Sequence, residues 1–319
     1  MRVLGISCGR RMGNTEIMVK EALMGAGETG AEVELIHLHD LNIKPCTGCN
    51  SCVLDLLERC GPGRCAIKND DLSFFEERFL ECDGLIVGSP IYEKSPSGQL
   101  KCLNDRMGPR ADQAMRMGSA KMRAERGITS GEGPDPRSFK PRLASLIAVG
   151  GSEWDTLALP LLNLFVLPMQ VKVVDQILVN WVGLPGVITL RPDLLERAHM
   201  SGKHLAESLK KPVEEAEYIG EPGMCPVCHS KVIEVRTGED YPIICGVCGV
   251  KGTLAVDGGQ VRFTVAEDEV PRSHVLLSGK FEHLNDLAQM LSNPPADMCE
   301  IPSRLAKYKK YLSYSKPPR

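Results

Sequence analysis

Nine of the 13 cysteines in this 319-residue chain fall into two sets with ligand-like spacing. The first set opens with Cys46-Thr-Gly-Cys49-Asn-Ser-Cys52, three thiols at two-residue gaps, and continues with Cys60 and Cys65. An iron-sulfur cubane needs four soft, deprotonated ligands around a compact core, and short gaps containing Gly48 and Asn50 let one loop wrap it. Cys46, Cys49 and Cys52 supply three ligands; the fourth is Cys60 or Cys65. Zinc is the first competitor, but its structural sites usually take two separated pairs, and inert buried thiols are the second. The second set has that paired form: Cys225-Pro-Val-Cys228 and Cys245-Gly-Val-Cys248 are 16 residues apart, the spacing of a four-cysteine zinc ribbon. Rubredoxin-type iron takes the same four thiolates, so the ligand set leaves zinc or iron open. His229 is superfluous as a ligand and is expected at the surface. Zinc ribbons also bind nucleic acid, which keeps a redox-sensing, ribbon-based binding module among the alternatives.

The composition sets the context for these thiols. The chain is 43% apolar and 25% charged with a net charge of -3, which gives no reason to expect overall attraction to nucleic acid or anionic lipid. An odd cysteine total behind an opening Met-Arg-Val-Leu-Gly-Ile argues against a secreted disulfide scaffold and for a reducing, cytoplasmic setting. The longest apolar stretch, 157–171, is broken by Pro160, Asn163 and Pro168 and falls short of the roughly 20 residues that span a bilayer, so no membrane segment is expected. The isolated Cys82, Cys102 and Cys299 are expected in the core.

Elements must position the candidate ligands. Apolar runs at 2–6, 32–38, 84–88, 143–149 and 173–179 predict five strands, and the helical spacing of Val19, Ala22, Leu23 and Ala26 predicts a helix over 14–26, stopped by Gly25 to Gly30. Strand, helix, strand in that order, with nearly unbroken apolar runs, predicts a doubly wound parallel sheet buried on both faces. The Arg-, Gly- and Pro-rich stretch 107–141 is too long for a plain connection and reads as an insertion, a subunit-contact arm or a lid. A helix is expected over 191–211. The domains expected are 1–215, the sheet domain with the cysteine loop 46–65 and the insertion; 216–265, the metal ribbon, with strand-like 231–235 and 261–265; and 266–319, a helical tail. In that tail Leu305, Tyr308 and Leu312 share one helical face, which favours a docked terminal helix with solvated lysines over a nucleic-acid contact by the interleaved Tyr311, Tyr314 and Lys316.

Three turns at the carboxyl ends of the expected strands carry polar or small residues. Gly5-Ile-Ser7-Cys8-Gly9-Arg10-Arg11-Met12-Gly13-Asn14-Thr15 joins a strand to a helix, where exposed N–H groups and the helix dipole favour an anion, with hydroxyl or amide donors on Ser7, Asn14 and Thr15. It lacks the dinucleotide and Walker fingerprints, and an ordinary turn capped by Asn14 or Thr15 is the plain alternative. Cys8 sits in this loop, where a lowered thiol pKa is expected. Gly88-Ser89-Pro90-Ile91-Tyr92 and Gly150-Gly151-Ser152 follow two further strands, so a ligand at the switch point of the sheet would meet all three turns.

The first loop, Gly-Ser-Pro-Ile-Tyr at 88–92 and Asn104-Asp105-Arg106 together resemble the NADPH-dependent FMN reductase family of flavodoxin-like proteins over roughly the first 190 residues. With the cysteine run, the resemblance is strongest to its iron-sulfur flavoprotein branch. It implies a flavodoxin-like five-stranded sheet that carries FMN. The phosphate would be held by Ser7, Arg11, Asn14 and Thr15, with Cys8 in the same loop, and the isoalloxazine edged by Ser89, Pro90, Ile91, Tyr92, Gly150, Gly151 and Ser152. The family's gap to its fourth cluster cysteine favours Cys60, while the Asp70-Asp71 context favours Cys65; the reading leans to Cys60. Asp70 and Asp71 themselves read as helix caps. The resemblance implies a [4Fe-4S] cluster, a dimer or tetramer, and a ferredoxin or NAD(P)H donor. The function expected is electron transfer at a flavin with no side-chain acid or base. The alternative is an NAD(P)H-dependent FMN or quinone reductase without a cluster.

Overall fold

The computed structural model describes residues 1–311 and 315, residue 291 by its backbone alone. Leu312, Tyr314 and Lys316 of the expected tail lie outside the described residues. The five expected strands form one parallel sheet: β1 (Arg2–Ser7), β2 (Glu32–His37), β3 (Gly84–Tyr92), β5 (Arg142–Val149) and β6 (Val171–Val179), in the order β2-β1-β3-β5-β6. That is the flavodoxin-like order, which places a ligand outside the carboxyl ends of β1 and β3. β3 runs four residues past its expected end and folds back through a two-residue turn into the short β4 (Ser95–Pro96). Both turn residues, Glu93 and Lys94, have positive φ without being glycine or asparagine, so nothing in their types announces a hairpin.

Each face of the sheet buries its own core. On one face α1 (Asn14–Glu28) and α7 (Pro192–Ser208) pack Met18, Val19, Ala22, Ala198 and Leu205 against it. On the other, α3 (Leu72–Glu81), α4 (Gly98–Ala111) and α6 (Ala158–Val166) contribute Phe75, Phe79, Leu103, Leu162 and Phe165. β5 is buried at every position, as a strand covered on both sides must be. Arg142, at its start, is fully buried because its guanidinium donates to the carbonyls of Leu80, Cys82, Arg137 and Lys140 and lies 4.5 Å from the Phe79 ring.

α1 and α7 cross closely at two glycines. A Cβ on Gly25 would lie 2.0 Å from the His199 carbonyl oxygen, and one on Gly202 1.7 Å from that of Ala22. Gly202→Ala therefore forces the helices apart and is expected to cost about 1–3 kcal/mol, seen as an earlier denaturant midpoint; an unchanged midpoint would contradict the close crossing. Beside it, His199 bonds Glu21 and Glu28, each at 3.0 Å, and the Glu28 carboxylate, followed by that of Glu21, raises its pKa above the ordinary 6.5. A raised native pKa stabilises the protonated fold fully below the ordinary value and loses that contribution as pH rises through the native value. The stability gap between the parent and His199→Gln should be largest below the ordinary value of about 6.5 and shrink as the pH rises above it; a gap that stays flat counts against the clamp.

The 107–141 segment is largely helical rather than an open excursion. α4 continues through Pro109 to Ala111, α5 (Gln113–Glu125) follows, and a 3-10 turn spans Pro136–Phe139. α2 (Ser51–Leu57) lies within the cysteine loop. Beyond α7, the ribbon is an antiparallel sheet of β7 (Ile233–Val235), β8 (Ile243–Cys245), β9 (Lys251–Asp257) and β10 (Gln260–Val265) in the order β10-β9-β8-β7. α8 (Leu277–Ser292) and α9 (Ile301–Lys309) follow. The chain forms two compact units, Met1–Phe281 and Glu282–Arg319. In the second, Leu305 and Tyr308 are exposed, and so is Cys299, for which a core position is expected. Among the described residues no helix is long and apolar enough to cross a membrane.

Candidate functional site

The loop between β1 and α1 is held from outside by two histidines. His37 and His39 donate through Nε2 to the carbonyls of Gly9 and Cys8, at 2.8 and 3.1 Å. The first helical bond runs from the Ile17 N–H to the Gly13 carbonyl, leaving the N–H groups of Asn14, Thr15 and Glu16 without intrahelical acceptors. Ser7 Oγ, fully buried at the end of β1, has no hydrogen-bond partner. An unpaired buried hydroxyl next to free helix N–H groups is a cradle for an anionic oxygen, so the residues present fit a flavin phosphate.

The other expected phosphate residues are placed differently. Asn14 spends its side chain internally, donating to the carbonyls of Val182 and Leu184 and accepting from the Ile188 N–H. Thr15 is buried against Gly9, and Arg11 is exposed and ion-paired with Asp40. The expected low pKa of Cys8 is corrected: complete burial pushes its thiol up to about 12.

Next to this loop, the β3–β4 hairpin and the segment after β5 enclose a cleft of about 260 Å3 lined by Ile91, Tyr92, Glu93, Gly150, Gly151, Ser152 and Trp154. Tyr92 and Trp154 are 59% and 62% exposed, so two aromatic rings stand at the cleft with little covering them. Gly150 has Ile91 Cδ1 within 3.1 Å of its would-be Cβ, which brings backbone to the cleft floor. Ser89 is buried and used internally, accepting from the Ser97 N–H and donating to the Pro90 carbonyl. Trp154 and Glu93 were missed in the sequence reading; only the exposure of a tryptophan beside a Gly-Gly-Ser turn marks the first.

In the cysteine loop, Cys46 and Cys49 are exposed, Cys52 and Cys65 half-buried and Cys60 buried. Backbone N–H donation from Ser51, then the Thr47 hydroxyl, lowers the pKa of Cys49. Burial raises that of Cys52, and the nearby Cys65 thiolate adds to the rise while Arg110 opposes it. Cys60 instead takes a positive φ and faces Arg126, Nη1 to Sγ 3.6 Å. Of the two candidates for the fourth position, Cys65 is the one whose charge acts on Cys52.

α4 and the insertion that continues it brace this loop with arginines. Arg106 is buried, donates to the Lys44 carbonyl at 2.7 Å, pairs with Asp70 at 2.5 Å and borders the Cys65 thiol. Arg110 donates to the Gly63 carbonyl and pairs with Glu76, which also holds Arg116. Ser119 and Arg123 reach the carbonyls of Gly61 and Cys60. Asp70 therefore serves mainly as an ion-pair partner, and Asp71 stands at the N-cap of α3 but accepts from the Asn42 N–H, without a side-chain cap bond. Two guanidinium groups beside Cys52 and Cys65 suit a group bound by several thiolates, whose net charge is negative.

The ribbon thiols converge. Sγ atoms of Cys225, Cys228, Cys245 and Cys248 lie within 4.8 Å of one another, with Cys225–Cys248 at 3.6 Å and Cys228–Cys245 at 3.4 Å. Zinc–sulfur bonds of about 2.3 Å in a tetrahedron put the sulfurs roughly 3.8 Å apart, so the residues present fit a single tetrathiolate ion. Mutual hydrogen bonding splits the set: the Cys245 thiol is lowered, chiefly by Cys225, and that of Cys225 is lowered, chiefly by Cys228, while those of Cys228 and Cys248 are raised, each chiefly by Cys225. His229 is not a plain surface residue; it is half-buried with its ring stacked 3.7 Å from Tyr218.

The sequence profile of the NADPH-dependent FMN reductase family matches residues 1–179. The flavone synthase cfoJ of Aspergillus candidus is 33% identical over 302 residues, 91% of this chain and 90% of that protein. An iron-sulfur flavoprotein of Methanocaldococcus jannaschii is 43% identical over 110 residues, a third of this chain and about half of that protein's length. Among solved structures, a flavone reductase superposes with a TM-score of 0.85 at 33% identity, each chain covered completely. The phosphate-type loop and aromatic cleft both lie inside the profile match, and the full-length relative extends the likeness through the ribbon: the chain belongs to the NADPH-dependent FMN reductase family and is a flavin oxidoreductase.

Proposed function

We propose that this chain binds FMN across the ends of β1, β3 and β5 and passes electrons between a nicotinamide donor and a flat aromatic acceptor of the flavone type. The observation that carries the reading is the cleft walled by Tyr92 and Trp154 beside the unpaired Ser7 hydroxyl. FMN, when bound, exchanges either a hydride or single electrons, which suits both donor and acceptor. Ser7 and the free N–H groups of α1 hold the phosphate, and Arg11, released from Asp40, adds charge. Asn14 acts by tying the 182–188 segment to this loop. Backbone at Gly150 and Gly151 with the side chains of Ile91 and Ser152 edges the ring, and the two exposed aromatics clamp a flat molecule over it and exclude water. The acceptor class rests on the flavone synthase and flavone reductase, which match this chain over almost its whole length.

Cys46, Cys49, Cys52 and Cys65 would hold a [4Fe-4S] cluster, supplying one-electron exchange beside Arg106 and Arg110. A reductase without a cluster is the second reading, favoured by the exposure of Cys46 and Cys49. The ribbon holds zinc, or rubredoxin-type iron, and a homodimer is proposed through the exposed Trp181, Leu184 and Leu190 near the cleft. Anaerobic purification followed by FMN, iron, sulfide and zinc assays tests the assignment. About one FMN and four each of iron and sulfide per chain is expected. FMN without sulfide selects the second reading, and absence of FMN affinity overturns both.

A further inference from the structure

The fold encloses a second chamber, of about 450 Å3, between β6, α6, α7 and the first knuckle of the ribbon. That volume is in the range of small-molecule sites, and none of the residues lining it lines the flavin cleft or belongs to the tetrathiolate. Part of its wall is apolar: Leu159 and Pro160 from α6, Ile177 and Leu178 from β6, Leu194 from α7, and Val232. The polar Gln176 and Ser230 are engaged within the fold, Gln176 with Asn163 and the Cys228 carbonyl and Ser230 with the Val232 N–H. The rings of Tyr218 and His229 line it as a stack, 7° from parallel. Its cations are already matched, Arg197 by the buried Asp175 and Lys231 by Glu221, and the carboxylate of Asp155 is bonded by Asn180. No positive charge is left over for a phosphate or carboxylate, whereas stacked rings and aliphatic walls suit an uncharged flat molecule.

The histidine is an unusual choice at its position. The two knuckles turn alike, the His229 N–H bonding the Cys225 carbonyl at 3.0 Å and the Gly249 N–H that of Cys245 at 3.1 Å, with φ of +60° and +78°. The second knuckle places glycine in this left-handed position, as the backbone prefers, and the first places an imidazole there. The ring it carries forms part of the chamber wall, and departures of this kind gather at ligand sites.

We infer that this chamber binds a flat, uncharged aromatic molecule against the Tyr218–His229 stack, and that the ribbon metal serves to hold that wall in place. The class follows from the walls alone and does not depend on the identity of the flavin's acceptor. Trp154 faces the flavin cleft and Asp155 and Thr156 face the chamber, so the two sites are separated by one turn of chain.

Flavone is the probe, titrated calorimetrically into the full chain loaded with FMN and metal, oxidised and without donor. His229→Gly suits the turn better and should keep the metal in full while weakening flavone binding about ten-fold. Leu194→Trp fills the chamber from another element and should give at least the same loss. Binding over the flavin reports separately as a change in flavin absorption, which neither substitution should alter. If Leu194→Trp loses FMN or metal, Leu178→Trp takes its place. Parental flavone affinity in either variant with full FMN and metal content overturns the inference, as does a parent chain that binds flavone only at the flavin.

Discussion

Cys225→Ser and Cys248→Ser will each leave the ribbon without its metal, and β7 to β10 will lose their ordered fold. Those strands are short and mostly exposed, and their shared core is small: Ile243, Val247, Val250 and Phe263 around the four thiols. A structural zinc in such a setting supplies about 10–16 kcal/mol of apparent binding energy, more than that core can replace. The two cores of the parallel sheet contain no ribbon strand, so FMN content should stay near one per chain. Metal analysis with amide exchange across 225–265 checks this. A serine variant that retains one metal and full protection there would show that the tetrathiolate is not what holds the ribbon.

The second large effect separates the candidate cluster ligands. Cys65→Ser should abolish iron and sulfide in the anaerobically purified chain, whereas Cys60→Ser should leave both near parental values. Cys65 borders Cys52 and Arg106, while Cys60 is sealed against Arg126 by α5. A cluster with three cysteines and one serine oxygen is poorly held because iron–sulfur sites rely on soft thiolates. Loss of iron in Cys60→Ser with retention in Cys65→Ser would reverse the assignment. The buried Cys60 gives that variant a packing cost, so circular dichroism accompanies the iron assay.

The parallel sheet was legible because β1, β3 and β5 are buried on both faces and read as unbroken apolar runs. The ribbon strands β8 and β9 were not, since a bound ion rather than apolar periodicity holds them. The Glu93-Lys94 hairpin escaped because its residues are held in the left-handed region by β3–β4 pairing rather than by intrinsic preference. The helices of the insertion were hidden for a different reason. Its Arg, Gly and Pro content reads as an arm or a lid, yet Arg110 and Arg116 are buried, on the Gly63 carbonyl and on Glu76 of α3, as is Arg106 just before the insertion. The spacing of Arg106 and Arg110, four apart on one helix face, was the available signal. For the thiols, spacing found both ligand sets but could not choose between Cys60 and Cys65, because that choice depends on where α5 packs.

In the proposed reaction electrons pass from a nicotinamide through FMN to a flat aromatic acceptor in the cleft of Tyr92 and Trp154. Anaerobic stopped-flow absorption at the flavin band tests it most directly, with NADPH mixed first and flavone second. Bleaching is expected on the first mix and recovery on the second, and Trp154→Ala should slow the recovery alone by about ten-fold or more. Bleaching by NADPH with no recovery on flavone, in a chain that molecular oxygen reoxidises normally, would contradict it.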